Sequence, residues 1–131
     1  MATYTKFQQF VEDLAHGVHN FDSNTIKVAL SNASNPPSAS DDTVLTDITT
    51  VSTANLDGVT LTKGSSGQTT GTYKYVPNDL TMTANGSVGP FQYVIIYNDT
   101  ATDDPLICYF DYGSEVTLAS GDTFKLDFGT E

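Results

Sequence analysis

The sequence predicts an all-β protein: an antiparallel β-sandwich, jelly-roll- or immunoglobulin-like, of about eight short strands with one N-terminal α-helix. Three observations lead there. The last third, Gly89 to Phe128, reads as consecutive apolar strands broken by polar turns. The composition is rich in Thr, Val, Tyr and Phe, which favour strands, and in Gly, Asn, Asp and Ser, which favour turns. Charged residues make up only 16% of the chain, against about 25% in an ordinary globular domain. At 131 residues the chain is expected to form one domain over 1–131 and to bury roughly two-thirds of its unfolded surface.

The elements follow in order. Thr5-Lys6-Phe7-Gln8 has the form of a capping box. Phe7, Phe10, Val11 and Leu14 then recur at helical spacing, and Gly17 suits a left-handed C-terminal cap, so a helix is expected over about 6–16. Ile26, Val28 and Leu30 alternate with Lys27, Ala29 and Ser31, a strand spanning Asn24 to Ser31. Residues 32–42, with Pro36-Pro37 and several Ser and Asn, read as a flexible surface loop. Val44, Leu45 and Ile48 form a short segment of undecided type. Asp57-Gly58 is a turn signal before a short strand, Val59 to Thr62, and Lys63 to Gly71 reads as a flexible loop. Thr72 to Val76 and Leu80 to Ala84 are strands separated by Pro77-Asn78-Asp79. Phe91 to Tyr97 is apolar on both faces, with Phe91, Tyr93, Ile95 and Tyr97 on one and Val94 and Ile96 on the other. Such a strand is central and covered twice. Leu106 to Tyr112 is similar. Phe124, Leu126 and Phe128 alternate with polar residues, so the last strand faces water on one side.

Charge narrows the function. The net charge is −11, there is no arginine, and the five lysines are scattered. Phosphate recognition needs clustered cations, so no nucleic-acid partner is expected. The same charge argues against an anionic membrane surface, and no run is long enough to cross a membrane as a helix. Met1 to Val11 has no basic start and no apolar stretch, so no secretory signal is expected. The single cysteine, Cys108, lies in an apolar strand between Asp104 and Asp111, the setting of a buried hydrophobe and not of a reactive thiol.

No catalytic motif stands out. Glu12, His16 and His19 would share a zinc-binding face if the helix ran to residue 19, but Gly17 interrupts it and nothing completes the set. Asp99, Asp103 and Asp104 crowd one turn without the spacing of a calcium loop. Asp41, Asp42 and Asp47 supply carboxylates of the kind glycoside hydrolysis uses, yet nothing places two of them across a sugar. A nucleophile elbow, a P-loop and a dinucleotide fingerprint are all missing. The expectation is a non-enzymatic protein with no catalytic residue, no cofactor and no metal. Seven tyrosines leave a carbohydrate-binding role open.

Three stretches, taken together, carry a family resemblance. The first is Gly17-Val18-His19-Asn20-Phe21-Asp22 running into Thr25 to Asn32. The second is Val44 to Ile48 with Gly58 to Leu61. The third is Gly89-Pro90-Phe91 to Ala101, then Pro105-Leu106-Ile107, Asp111 to Ser114 and Gly121 to Phe124. In that order they resemble a group of small structural proteins of tailed bacteriophages. The resemblance covers most of the chain and carries no catalytic residues.

It implies a virion component made in the cytoplasm of a host bacterium. Within that class a capsid decoration, or cement, protein is expected. It would bind the outer head surface and stabilise contacts between subunits of its partner, the major capsid protein. A homo-oligomer, trimer or dimer, is implied. Ala2 to Phe10 and Ser31 to Asp42 would act as arms, and Phe7, Phe10, Phe91, Tyr93, Tyr109 and Tyr112 are the interface candidates. Phe91, Tyr93, Tyr109 and Tyr112 could equally be ordinary core. The alternatives are a minor tail or neck protein and a carbohydrate-binding module on the virion surface.

Overall fold

The structure is a computed structural model that describes residues 2–128; Met1 and residues 129–131 of the expected 1–131 domain lie outside the described residues. Strands account for 49% of the chain and helical turns for 8%. The fold is an antiparallel, sandwich-like all-β arrangement. Nine strands and one α-helix are present among the described residues: β1 (Thr3–Lys6), α1 (Gln9–Ala15), β2 (Ile26–Ser31), β3 (Leu56–Asp57), β4 (Lys63–Thr69), β5 (Thr72–Pro77), β6 (Leu80–Ala84), β7 (Val88–Asn98), β8 (Leu106–Leu118) and β9 (Thr123–Leu126). The undecided segment near Val44 is a short 3-10 turn, Leu45–Asp47.

The strands form a four-stranded sheet of order β1-β8-β7-β2, a three-stranded sheet of order β3-β6-β9, and a separate β4-β5 ribbon. The main core lies between the first two. Val28 and Leu30 of β2, Phe91, Val94 and Ile96 of β7, Met82 and Ala84 of β6 and Leu56 of β3 meet there, with Phe124 and Leu126 of β9 packed alongside. A smaller core covers the other face of the large sheet. It joins Ala29, Ile95 and Leu106 to Phe7 and Ile48, with Phe10 and Leu45 above them. β7 is therefore covered on both faces, as its apolar run predicts.

Three local expectations are corrected. The first concerns the helix. Thr3 to Lys6 is extended and pairs with Asp111 to Cys108 of β8. Helix α1 starts only at Gln9, its N-cap Gln8 makes no side-chain cap bond, and Thr5 lies in the strand. Pairing to β8 satisfies a whole row of backbone groups, whereas a capping box satisfies two. The segment expected to be a free N-terminal arm is thus an edge strand of its own sheet. The predicted helix stop holds. Gly17 has φ +74°. The Gly17 N–H donates to Leu14 O at 3.3 Å and the Val18 N–H to Asp13 O at 2.9 Å, a Schellman motif.

The second concerns Lys63 to Thr69, expected to be a loop. It is a strand, paired with β5 through a two-residue turn, in unbroken register from Ser65 to Thr69 and with a register shift between Lys63 and Ser65. Both turn residues, Thr70 (φ 49°) and Gly71 (φ 83°), are left-handed, as a type I′ turn requires. The third concerns Phe91. The register of β7 on β8 breaks between Phe91, opposite Val116, and Tyr93, opposite Asp111. Period two is interrupted there, so Phe91 joins Val94 and Ile96 in the main core and parts from Tyr93.

Two other segments are tied to the body. The predicted strand 59–62 is present as a bridged segment along β2, with the Val28 N–H donating to Val59 O and the Leu61 N–H to Ile26 O, both at 2.8 Å. In the 32–42 loop, Pro37 is buried. The Ser38 N–H donates to Asp42 Oδ2 at 2.7 Å, and the Gln8 N–H donates to Ala39 O at 2.9 Å.

Candidate functional site

The most distinctive surface feature is an aromatic cleft where α1, the β4-β5 ribbon and the open side of the sandwich meet. Its volume is about 380 Å³. Ile26, Leu61, Ile96, Ile107 and Cys108 form the floor, and Tyr4, Phe10, Leu14, Phe21, Tyr73, Tyr75, Pro77, Phe110 and Phe128 form the walls. Among the described residues no charged side chain lines it. Burial raises the pKa of Tyr4 and Tyr75 and pushes the Cys108 thiol up to about 12, so these lining groups are neutral at physiological pH.

The walls are built by ring packing between distant segments. Tyr73 and Tyr75 alternate along β5 and so share a face. Both meet Phe21, at centroid distances of 6.5 and 5.0 Å. Phe21 also meets Phe10 of α1 at 5.9 Å. Tyr4 of β1 packs on Phe110 of β8 at 5.5 Å. An ion pair, Lys63 Nζ to Asp22 Oδ1 at 2.6 Å, joins the ribbon to the Phe21 turn. A smaller hollow of about 230 Å³ lies beside the cleft and shares Phe110 and Phe128 with it. Val94, Tyr112, Phe124 and Leu126 also line this hollow.

His19 stands behind the cleft wall, 6% exposed. Its ring lies 5.2 Å from Phe10 and 5.8 Å from Phe21, nearly parallel to the latter. Its Nδ1 lies 3.1 Å from the side-chain nitrogen of the fully buried Asn98. Its pKa is lowered, chiefly by burial, with Asp13 acting in the opposite sense.

The interface candidates divide. Phe7 and Phe91 are fully buried within their own chain, Phe7 against Tyr109 and Phe91 edge-on to Phe124. Neither presents surface to a partner, because each fills its own core. Tyr93 and Tyr109 sit together, centroids 6.1 Å apart, and are half-buried. Phe10 lines the cleft, and Tyr112, 46% exposed, lines the smaller hollow.

The acidic candidates are occupied locally. His16 lies 3.6 Å from Glu12 on the exposed face of α1, while His19 turns inward, so the three do not converge. No group of three or more metal-ligating side chains converges among the described residues. Asp99 pairs with Lys27 at 3.0 Å. Asp41 and Asp42 accept from Ser38. Asp47 accepts the N–H groups of Thr43 and Val44, which lower its pKa.

The cleft is not legible in the sequence, because Tyr73, Tyr75 and Pro77, a third of its wall, come from the ribbon. The one signal was the Tyr73-Lys74-Tyr75 alternation. No protein-family model, curated protein or solved structure matches the chain. Among the described residues no helix is long and apolar enough to cross a membrane.

Proposed function

We propose that the protein is a non-enzymatic structural component of a phage virion, a capsid decoration protein that holds neighbouring major capsid subunits together from the outer face of the head. The observation that carries this reading is the uncharged aromatic cleft on a chain of net charge −11. Tyr4, Leu14 and Tyr73, each 45–57% exposed, stand on its walls, and Val11, 54% exposed, lies beside them on α1. Grouped exposed apolar side chains on a small acidic protein mark a contact surface. The sequence resemblance supplies the kind of assembly, and the acidic exterior suits a surface turned away from packaged DNA. A dimer or trimer would bring like charges together, and a charge-free face is where copies approach with least repulsion.

The test is the copy number of this protein relative to the major capsid protein in purified virions, by quantitative mass spectrometry. A ratio of one, or a simple fraction of it, is expected. A handful of copies would move the assignment to the tail or neck, and absence from the particle would overturn it. Saturable binding to empty heads, lost in Leu14→Asp, separates decoration from glycan recognition, which would instead appear as sugar binding lost in Tyr73→Ala.

A further inference from the structure

We propose that His19 is a buried, pH-sensitive latch: gaining a proton breaks its contact with Asn98 and releases the Phe10–Phe21 wall of the aromatic cleft together with the β4-β5 ribbon. The argument begins at Asn98, which is fully buried. The N–H groups of Thr100 and Ala101 donate to its Oδ1, at 2.9 and 3.1 Å. A backbone N–H can only donate, so the amide cannot be turned round. Its Nδ2 therefore points to Asn24 Oδ1 at 2.9 Å and to His19 Nδ1 at 3.1 Å.

This fixes the state of the histidine. Nδ1 must accept, so the ring is neutral with its proton on Nε2. Nε2 is buried and finds no hydrogen-bond partner among the described residues. A second proton would have to go on Nδ1, where it would face the Asn98 amide hydrogens. Two donors would oppose each other, and a full charge would sit in a ring 6% exposed. Relief comes from moving the ring out to water.

The surrounding charges do not remove this penalty. Asp13 of α1 favours the charged ring, but burial outweighs it. On the other packed elements the carboxylates are engaged, Asp22 with Lys63 of β4 and Asp99 with Lys27 of β2. Glu12 and His16 face solvent on α1. Tyr75 of β5 is held neutral by burial. His19 thus binds its proton more weakly folded than unfolded. The stability it contributes is whole above its ordinary value of 6.5. It falls as pH drops from there through the folded value, by at most about tenfold per pH unit in the opening equilibrium.

The effect is local because of what leans on the ring. Phe21 stacks on His19 and is also the ring on which Tyr73 and Tyr75 rest. The ribbon belongs to neither large sheet, and two-stranded ribbons are marginal alone. The latch itself needs no virion; that acid weakens assembly through the cleft rests on the decoration reading.

The experiment is amide hydrogen exchange on the isolated chain at pH 7.5 and 5.0, corrected for intrinsic exchange, in a His16→Gln background. Expected is a loss of protection in residues 16–25 and 63–77, several-fold and at most about thirtyfold over the 1.5 pH units below 6.5, with β7 unchanged. His19→Gln, which keeps an acceptor for Asn98 and cannot titrate, should abolish the pH dependence. Equal loss in both proteins, or none in either, overturns the latch. Should His19→Gln fail to fold, the ring titration of His19 by NMR decides: a midpoint at or above 6.5 also overturns it. Neither readout involves capsid, so failure of the virion reading leaves them intact.

Discussion

The β7-β8 pair and the β4-β5 ribbon are both antiparallel hairpins, yet they are held by opposite means. β7 is buried on both faces, with Phe91, Val94, Ile95 and Ile96 each 5% exposed or less. β4 is exposed at every residue. The first is fixed by side chains removed from water on both sides. The second is fixed by its own backbone bonds, by its turn, and by two tyrosines leaning on Phe21. Rigid and adaptable hairpins therefore coexist in one small fold, and the cleft lies where the adaptable one meets the rigid body.

That contrast can be broken at several points. Phe91→Ala removes a fully buried ring from the main core and should cost about 3–5 kcal/mol, read as a shift in the urea midpoint of the whole protein. Phe21→Ala removes only a half-buried ring, so about 1–2 kcal/mol is expected. Its signature is selective: proteolytic nicking within 63–77 should rise while the global midpoint moves little. Thr70→Asn places the preferred residue at the first left-handed turn position and should stabilise the ribbon by about 0.5 kcal/mol. Slower exchange of β4 amides would show it. Asp22→Asn removes the exposed ion pair to Lys63 and should leave ribbon protection unchanged within error. A large loss there would mean that charge, and not ring packing, anchors the ribbon.

The same contrast explains what could be read from the sequence. β7, β8, β6 and β9 were evident because burial imposes a pattern of apolar residues. β4 was not, because Lys63-Gly64-Ser65-Ser66-Gly67-Gln68-Thr69 buries nothing and a strand made by backbone pairing leaves no such pattern. The helix start was misplaced because β1 gains a partner that lies about a hundred residues later in the chain, on β8. Phe91 was put on the wrong face because a register break cannot be seen in a two-residue period. His19 was weighed with Glu12 and His16, its neighbours in sequence. Its partner in the fold, Asn98, is 79 positions away, and that pairing carries no local signal. Of the proposed contact surface, the sequence singles out Phe10, while Phe21, Tyr73 and Tyr75 join it only through the ribbon.

Cys108 gives the molecule a built-in reporter. It is the only thiol in the chain, it lies on the cleft floor at 7% exposure, and its pKa of about 12 leaves almost no thiolate at neutral pH. A thiol reagent therefore meets a silent protein while the cleft is closed. Each labelled molecule records one opening, so the rate of modification is a clock for how often the floor is bared, and a bound partner would slow it.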